Sequence, residues 1–259
     1  MSRALAVLEW HLVGYRRTWR GSALSSFVIP VLIVLGFGLG VGHFVDAGGR
    51  LGQVRYLDYT VPGMLAVTAL NLAFFESSWP VMSRFQWIRT YHAMVATPLR
   101  LVDIIGGGLL FVLLRLLLTT VVFLLVTTVF GAVHSMWALA VPVICALLGL
   151  AVAPAVQAFA ARIESDSYFS LLLRFVLIPV GLFSGVYFPI AALPEVLRWL
   201  AYASPLWHAV ELCRAATLPD AHLSFNVIVG HVAYLSAWAG LGCWLVWRAF
   251  RRRLLVKEG

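Results

Sequence analysis

The chain has 259 residues, of which 62% are hydrophobic and 12% charged, with a formal net charge of +8 and a mean hydropathy of +0.93. Soluble chains of this length carry about twice that share of charge, so lipid is the main solvent and a soluble globular domain is excluded. A nucleic-acid binder is excluded because the arginines lie at the edges of apolar runs, and a self-contained nucleotide engine because the lone lysine, Lys257, precedes Glu258 and not the Ser or Thr of a phosphate-cradling loop.

The chain reads as one all-α polytopic membrane domain over residues 1–259. Residues 1–20 come first: Leu5, Leu8, Leu12 and Val13 recur at helical spacing, opposite Glu9, Arg16, Arg17 and Arg20, with Trp10, Tyr15 and Trp19 as interface-seeking aromatics. That pattern predicts an amphipathic helix in the headgroup plane. Since roughly 20 apolar residues cross the hydrocarbon core, the pattern predicts six transmembrane helices, roughly 22–42, 60–83, 103–129, 136–160, 168–188 and 225–248. The second carries Glu76 and the fifth Arg174, which blurs their edges.

Charge orients the spans. Arg3, Arg16, Arg17, Arg20, Arg84, Arg89, Arg100, Arg162, Arg248, Arg251, Arg252, Arg253 and Lys257 fall in segments that lie on one side, against Arg50, Arg55, Arg198 and Arg214 on the other. The positive-inside rule then puts both termini in the cytoplasm, as an even number of spans requires. Between spans two and three, residues 84–98 form a short helical segment of mixed polarity stopped by Pro98, a surface suited to a groove on a partner or to a plain connector. Residues 189–224 hold two helix-like pieces around Ala203-Ser204-Pro205-Leu206. They are too apolar for a soluble loop, which predicts a re-entrant external helical hairpin before the last span.

At this point the chain is similar to something known. The string Gly185-Val-Tyr-Phe-Pro-Ile-Ala-Ala-Leu-Pro-Glu-Val-Leu-Arg-Trp-Leu, followed by Ser204-Pro-Leu-Trp-His-Ala-Val-Glu-Leu-Cys-Arg214, resembles the C-terminal signature of type-2 ABC exporter permeases, within them the NodJ- and DrrB-like branch. The segment ending Ala93-Met-Val-Ala-Thr-Pro-Leu-Arg-Leu-Val-Asp103 is similar to that family's coupling region. The resemblance implies a transmembrane subunit, not itself an enzyme, that pairs with a second permease, identical or related. It also implies two copies of a separate ATPase, which hold the ATP and Mg, so no cofactor belongs to this chain. The cargo would be amphipathic: a lipid-linked saccharide, a polysaccharide or a drug-like molecule. By the same resemblance Arg89, Thr90, Tyr91, His92 and Met94, with Glu9 and Trp10 of the N-terminal helix, would couple to the ATPase. Leu197, Leu200 and Leu206 would close an outer gate that also holds His208, Glu211 and Arg214.

Charges inside the membrane are costly and mark function by default. Glu76 and Arg174 each lie roughly 10 Å from the inner side by residue count, so either they pair or each snorkels alone. Arg115 lies near mid-depth with no acidic partner evident at its level, facing either a cavity that receives a polar or anionic headgroup or backbone carbonyls between helices. These three residues would be the coupling groups of the alternative reading, an ion-coupled secondary transporter. Gly106-Gly107-Gly108 permits close helix approach or a bend. His208 and Glu211 have a spacing that some metal sites use, but they lack further ligands nearby; Glu211 and Arg214 are spaced to pair. Cys145, Cys213 and Cys243 share no pair spacing, and no catalytic constellation is present.

Overall fold

The computed structural model describes residues 3–48, 54–218 and 223–255; Arg50 and Lys257, both counted in the orientation argument, lie outside them. Among the described residues every regular element is helical. In chain order these are α1 (Arg3–Tyr15), α2 (Trp19–Ile33), a π-helical stretch (Val34–Gly42), α3 (His43–Ala47), α4 (Tyr56–Ser77), α5 (Trp79–Gln86), α6 (Thr90–Val95) and α7 (Leu101–Val129). There follow a 3-10 turn (Met136–Ala140), α8 (Val141–Ala160), α9 (Ser167–Leu172), a second π stretch (Leu173–Leu177), α10 (Ile178–Phe183), a second 3-10 turn (Ile190–Ala192), α11 (Glu195–Tyr202), α12 (Pro205–Thr217) and α13 (Phe225–Leu255).

Among the described residues five helical stretches, not six, are long and apolar enough to cross a membrane: Phe27–Ala47, Tyr56–Gln86, Leu101–Val129, Met136–Ala160 and Phe225–Leu255. The fifth expected span, 168–188, forms a shorter apolar helix, Ser167–Phe183. At 1.5 Å per residue it reaches about 25 Å, short of the ~30 Å hydrocarbon core. It stops where Gly185 takes a left-handed φ of +76°, a conformation that costs glycine least. The second span is also not one rod. At Ser78 the backbone leaves helical geometry (φ −95°, ψ −97°), and Pro80 restarts the helix as α5.

The core lies where α4, α7 and α8 meet. Phe74, Leu116, Phe123 and Leu148 are fully buried there, and Ala66, Ala69 and Ala73 run down one face of α4, small enough to let its neighbours approach. Helix α13 packs along α8. Helix α12, capped by Ser204 and opened by Pro205, enters between α4, α8 and α13 with Leu206, Ala209, Val210 and Cys213 buried. The turn before it is tied down: Gly185 O accepts from Tyr59 Oη (3.3 Å) and Arg214 Nη2 (2.7 Å). A Cβ on Gly63 would lie 2.9 Å from the backbone of Val186, so only glycine admits that turn against α4. By contrast Phe27–Ala47 is only 19% buried, so most of its surface faces away from the protomer.

Candidate coupling face and intramembrane cavity

At the arginine-rich end of the bundle, α1 lies against the first turns of α7. Val7 and His11 are its buried residues, and the approach is set by Gly107, where a Cβ would lie 2.5 Å from the Val7 Cβ and 2.8 Å from the Ala4 carbonyl oxygen. Of the two roles open to the triple glycine, close approach is the one the geometry shows. The His11 ring stacks on Phe111 (4.9 Å), Tyr15 meets Phe111 edge-on, and Arg84 lies 5.4 Å over Trp10. Glu9 and Trp10 both reach the surface.

Burial, and second the nearby Arg84, lower the His11 pKa from 6.5 to about 3. An undocked ring takes up a proton as the pH falls through about 6.5, whereas the docked ring stays neutral, so docking is most stable above that value and weakens below it. At pH 5 the loss is about 2 kcal/mol. Relative to a free Arg peptide cleaved under the same conditions, tryptic release at Arg16 and Arg17 is expected to accelerate between pH 7 and pH 5.5, and His11→Phe, which keeps the stack, removes the acceleration; an unchanged ratio at both pH values in the wild type would refute this.

Beside α1, the expected coupling residues divide. Arg89 sits in the left-handed region (φ 53°), turning the chain sharply from α5 into α6. Tyr91 and Met94 point inward and are 4% and 8% exposed, Tyr91 resting between Phe85 (4.7 Å) and Phe250 (5.2 Å). Tyr91 therefore holds α6 to α5 and α13 and offers little surface to a partner, which corrects the expectation placed on it, whereas Met94 lines the groove between α6 and α1. Thr90 is half-buried; Arg89 and His92 are exposed. Trp87 and Ile88, which the sequence argument left out of the coupling set, are 66% and 68% exposed. An apolar groove of about 340 Å³ runs between the two elements, lined by Ala6, Trp10, Ala93 and Thr97 among others.

Deeper in the bundle, Glu76 Oε1 meets Arg115 Nη1 at 3.1 Å, with the two side chains only 20% and 13% exposed. Both readings based on depth are thereby corrected: Glu76 does not pair with Arg174, and Arg115 has an acidic partner. Residue counts along a span give level but not azimuth. Phe169 is buried against Trp79 (4.9 Å), and Arg174, five residues on and roughly 140° around a helix, is exposed and makes no ion pair among the described residues. The Arg115 guanidinium also lies 4.5 Å over the Tyr15 ring and lines a cavity of about 430 Å³ bounded by α2, α4 and α7.

At the opposite end, Leu200 is 62% exposed and Leu197 half-buried, but Leu206 is fully buried within the protomer and offers no surface to an outer gate. Glu211 and Arg214 pair at 2.8 Å, and Arg214 also lies 4.0 Å over Tyr59. His208 Nε2 lies 3.1 Å from the Tyr202 carbonyl oxygen, which only accepts, so that nitrogen carries the proton; its Nδ1 then accepts from His231 Nδ1 at 2.8 Å. Burial lowers the His208 pKa, which favours this neutral pair. His208 thus binds the hairpin to α13. Sequence reasoning missed a polar cluster here: Arg55 holds Asp58 (2.9 Å), which also meets His134 (3.2 Å), and Arg55 donates to Gly131 O (2.6 Å). The i,i+3 spacing of Arg55 and Asp58 is the only trace of it in the sequence.

Residues 4–218 match the family model described as ABC-2 type transporter. Nodulation protein J of Rhizobium leguminosarum bv. trifolii is 31% identical over 254 residues, covering 97% of this chain and 94% of that protein. The proteins of the same name from Sinorhizobium fredii and Rhizobium meliloti are 30% and 28% identical, each over 97% of this chain and 94% of their own length. With an all-helical bundle carrying several membrane-long apolar helices, and matches over nearly its whole length, this chain belongs to the ABC-2 type transporter family.

Proposed function

We propose that this chain is the membrane-spanning half of an ATP-driven exporter of an amphipathic molecule, working in the bacterial plasma membrane as a pair of permeases on two copies of a separate ATPase. The observation that carries the reading is the exposed tip Trp87-Ile88-Arg89, held beside α1 by the buried Tyr91 and Met94. A large apolar surface next to a cation, on rigid short helices at the arginine-rich end, is the kind of patch that fills a groove on a partner and transmits its movement. The chain has no phosphate loop of its own, so the energy comes from that partner. The helix Ser167–Phe183, with the turn at Gly185 that follows it, serves as a sixth crossing. Both termini then share the cytoplasmic side and α11–α12 form the external re-entrant hairpin. The ion-coupled alternative loses ground because Glu76 and Arg115, two of its three coupling groups, neutralise each other.

The test is co-purification with the ATPase encoded beside the chain. Trp87→Asp combined with Ile88→Asp is expected to abolish association and stimulated ATP hydrolysis while thermal unfolding of the permease alone stays unchanged. Full association of this variant, or transport by the wild-type chain without any ATPase, would overturn the proposal.

A further inference from the structure

The cavity beside Arg115 is apolar over most of its wall, with Ile29, Ile33 and Phe37 on the first span and Phe75 on α4. Across it runs a short polar line from the second and third spans, made by Thr68, Asn71, Arg115 and Thr119. Thr68 and Asn71 are three residues apart on α4, hence on one face of the helix. Neither the Asn71 amide nor the Thr68 hydroxyl has a hydrogen-bond partner among the described residues, and of the Arg115 guanidinium only Nη1 has a carboxylate, that of Glu76. Polar groups left without partners at membrane depth are costly, so they imply a group that satisfies them. Their chemistry restricts that group. An amide and a hydroxyl each both donate and accept, and the guanidinium adds donors, while the Arg115–Glu76 pair has no net charge. The Glu76 carboxylate is not part of the cavity wall, but at 3.1 Å from Nη1 it cancels the Arg115 charge, so an anionic head finds no net attraction there and a cationic head meets the guanidinium, whereas a head of uncharged hydroxyls depends on neither charge. The volume of about 430 Å³ lies in the range of small-molecule sites.

We infer that this cavity binds an amphiphile with an uncharged, hydroxyl-bearing head. The head is held by Thr68, Asn71 and the free N–H groups of Arg115, and the tail lies against Ile33, Phe37 and Phe75. Glu76 acts as the charge filter: by cancelling Arg115 it turns a site that would attract phosphate into one that refuses it. The site's place in export rests on the function proposed above; the site itself does not. Two sources share this chemistry, the exporter's cargo and a neutral lipid resident in the bilayer.

Three probes with one tail and different heads test it: decyl glucoside, decyl phosphate and decyltrimethylammonium, titrated at concentrations below bilayer disruption into the full chain in phosphatidylcholine nanodiscs. Decyl glucoside is expected to bind about tenfold more tightly than either charged probe, and Asn71→Leu to remove that advantage. Glu76→Gln is expected to raise the affinity for decyl phosphate by about tenfold, because Arg115 then carries its charge uncancelled. Should that variant fail to fold, Thr68→Val and Asn71→Leu, which remove only hydrogen-bonding groups, carry the test. Equal binding of the charged probes to the wild type, or undiminished glucoside binding by Asn71→Leu, would overturn the site. The two sources separate in vesicles that also carry the ATPase: ATP-driven movement of decyl glucoside lost in Asn71→Leu identifies cargo. Binding without movement identifies a resident lipid and upholds the site while counting against its role in export. Movement that persists in Asn71→Leu refutes the site and leaves the exporter reading intact.

Discussion

Replacing Gly107 with leucine is expected to detach the N-terminal helix from the bundle and, if the proposed function holds, to uncouple the chain from the ATPase it would pair with. Two of the atoms that a Cβ at this position would meet decide the size of the effect. One is the Val7 Cβ at 2.5 Å; the other is the Ala4 carbonyl oxygen at 2.8 Å, which is main chain and has no rotamer to escape into. The clash is relieved only by moving α1 bodily, at a cost of at least about 3 kcal/mol in a packed interface. Gly149 provides the comparison, since there the obstacle to a Cβ is the end of the flexible Leu116 side chain. Gly149→Ala is thus the cheaper change, about 1 kcal/mol. Because the backbone oxygen remains, Val7→Gly should rescue Gly107→Leu only partly. Tryptic cleavage at Arg16 and Arg17, rapid in a detached helix and slow in a docked one, measures the effect directly, and a wild-type cleavage rate in Gly107→Leu would show that α1 does not depend on this contact.

The positions where the sequence was readable share a physical reason. Spans three and four are long, uniformly apolar and bounded by clear signals: Pro98 and the Asp103 carboxylate that accepts from Arg100 N (3.0 Å) at one start, Ser135 capping Trp137 N (3.2 Å) at the other. Hydropathy and capping are local properties, and they place 101–129 and 136–160 within a few residues of expectation. What a local reading leaves out is which way a side chain faces. Tyr91 and Trp87 are both large and partly apolar, so composition alone cannot say that the first binds α6 to Phe85 and Phe250 while the second stands clear. The same holds for Glu76, whose partner is set by the packing of α4 on α7. Apolar content could not show that 167–188 yields a helix ending at Phe183, because the stop depends on Gly185 adopting a positive φ that Tyr59 and Arg214 then lock. The break at Ser78 is of the same kind, although Pro80 announces a discontinuity nearby.

Arg115→Met carries the second large effect, and it separates what the ion pair does for stability from what it does for selection. Removing the guanidinium leaves the Glu76 carboxylate, 20% exposed, without its counterion. Breaking such a pair on one side costs about 3–5 kcal/mol, because the surviving charge keeps its desolvation penalty and loses its attraction. Removing both charges is a different matter: two groups desolvated to meet each other roughly break even against apolar residues of similar size, so Arg115→Met combined with Glu76→Leu should recover most of the loss. Thermal unfolding of the four purified proteins completes the cycle, and the coupling energy between the two sites should be of the same size as the single-variant loss. If Arg115→Met unfolds where the wild type does, the charges are solvated and the cavity wall is wetter than its lining implies. If the double variant is no better than the single, Arg115 stabilises chiefly by another contact, for which the Tyr15 ring 4.5 Å beneath it is the candidate. A double variant that folds normally yet binds charged and uncharged amphiphiles alike assigns the pair to selection, since a merely structural bridge, once replaced by packing, would leave the choice of ligand unaltered.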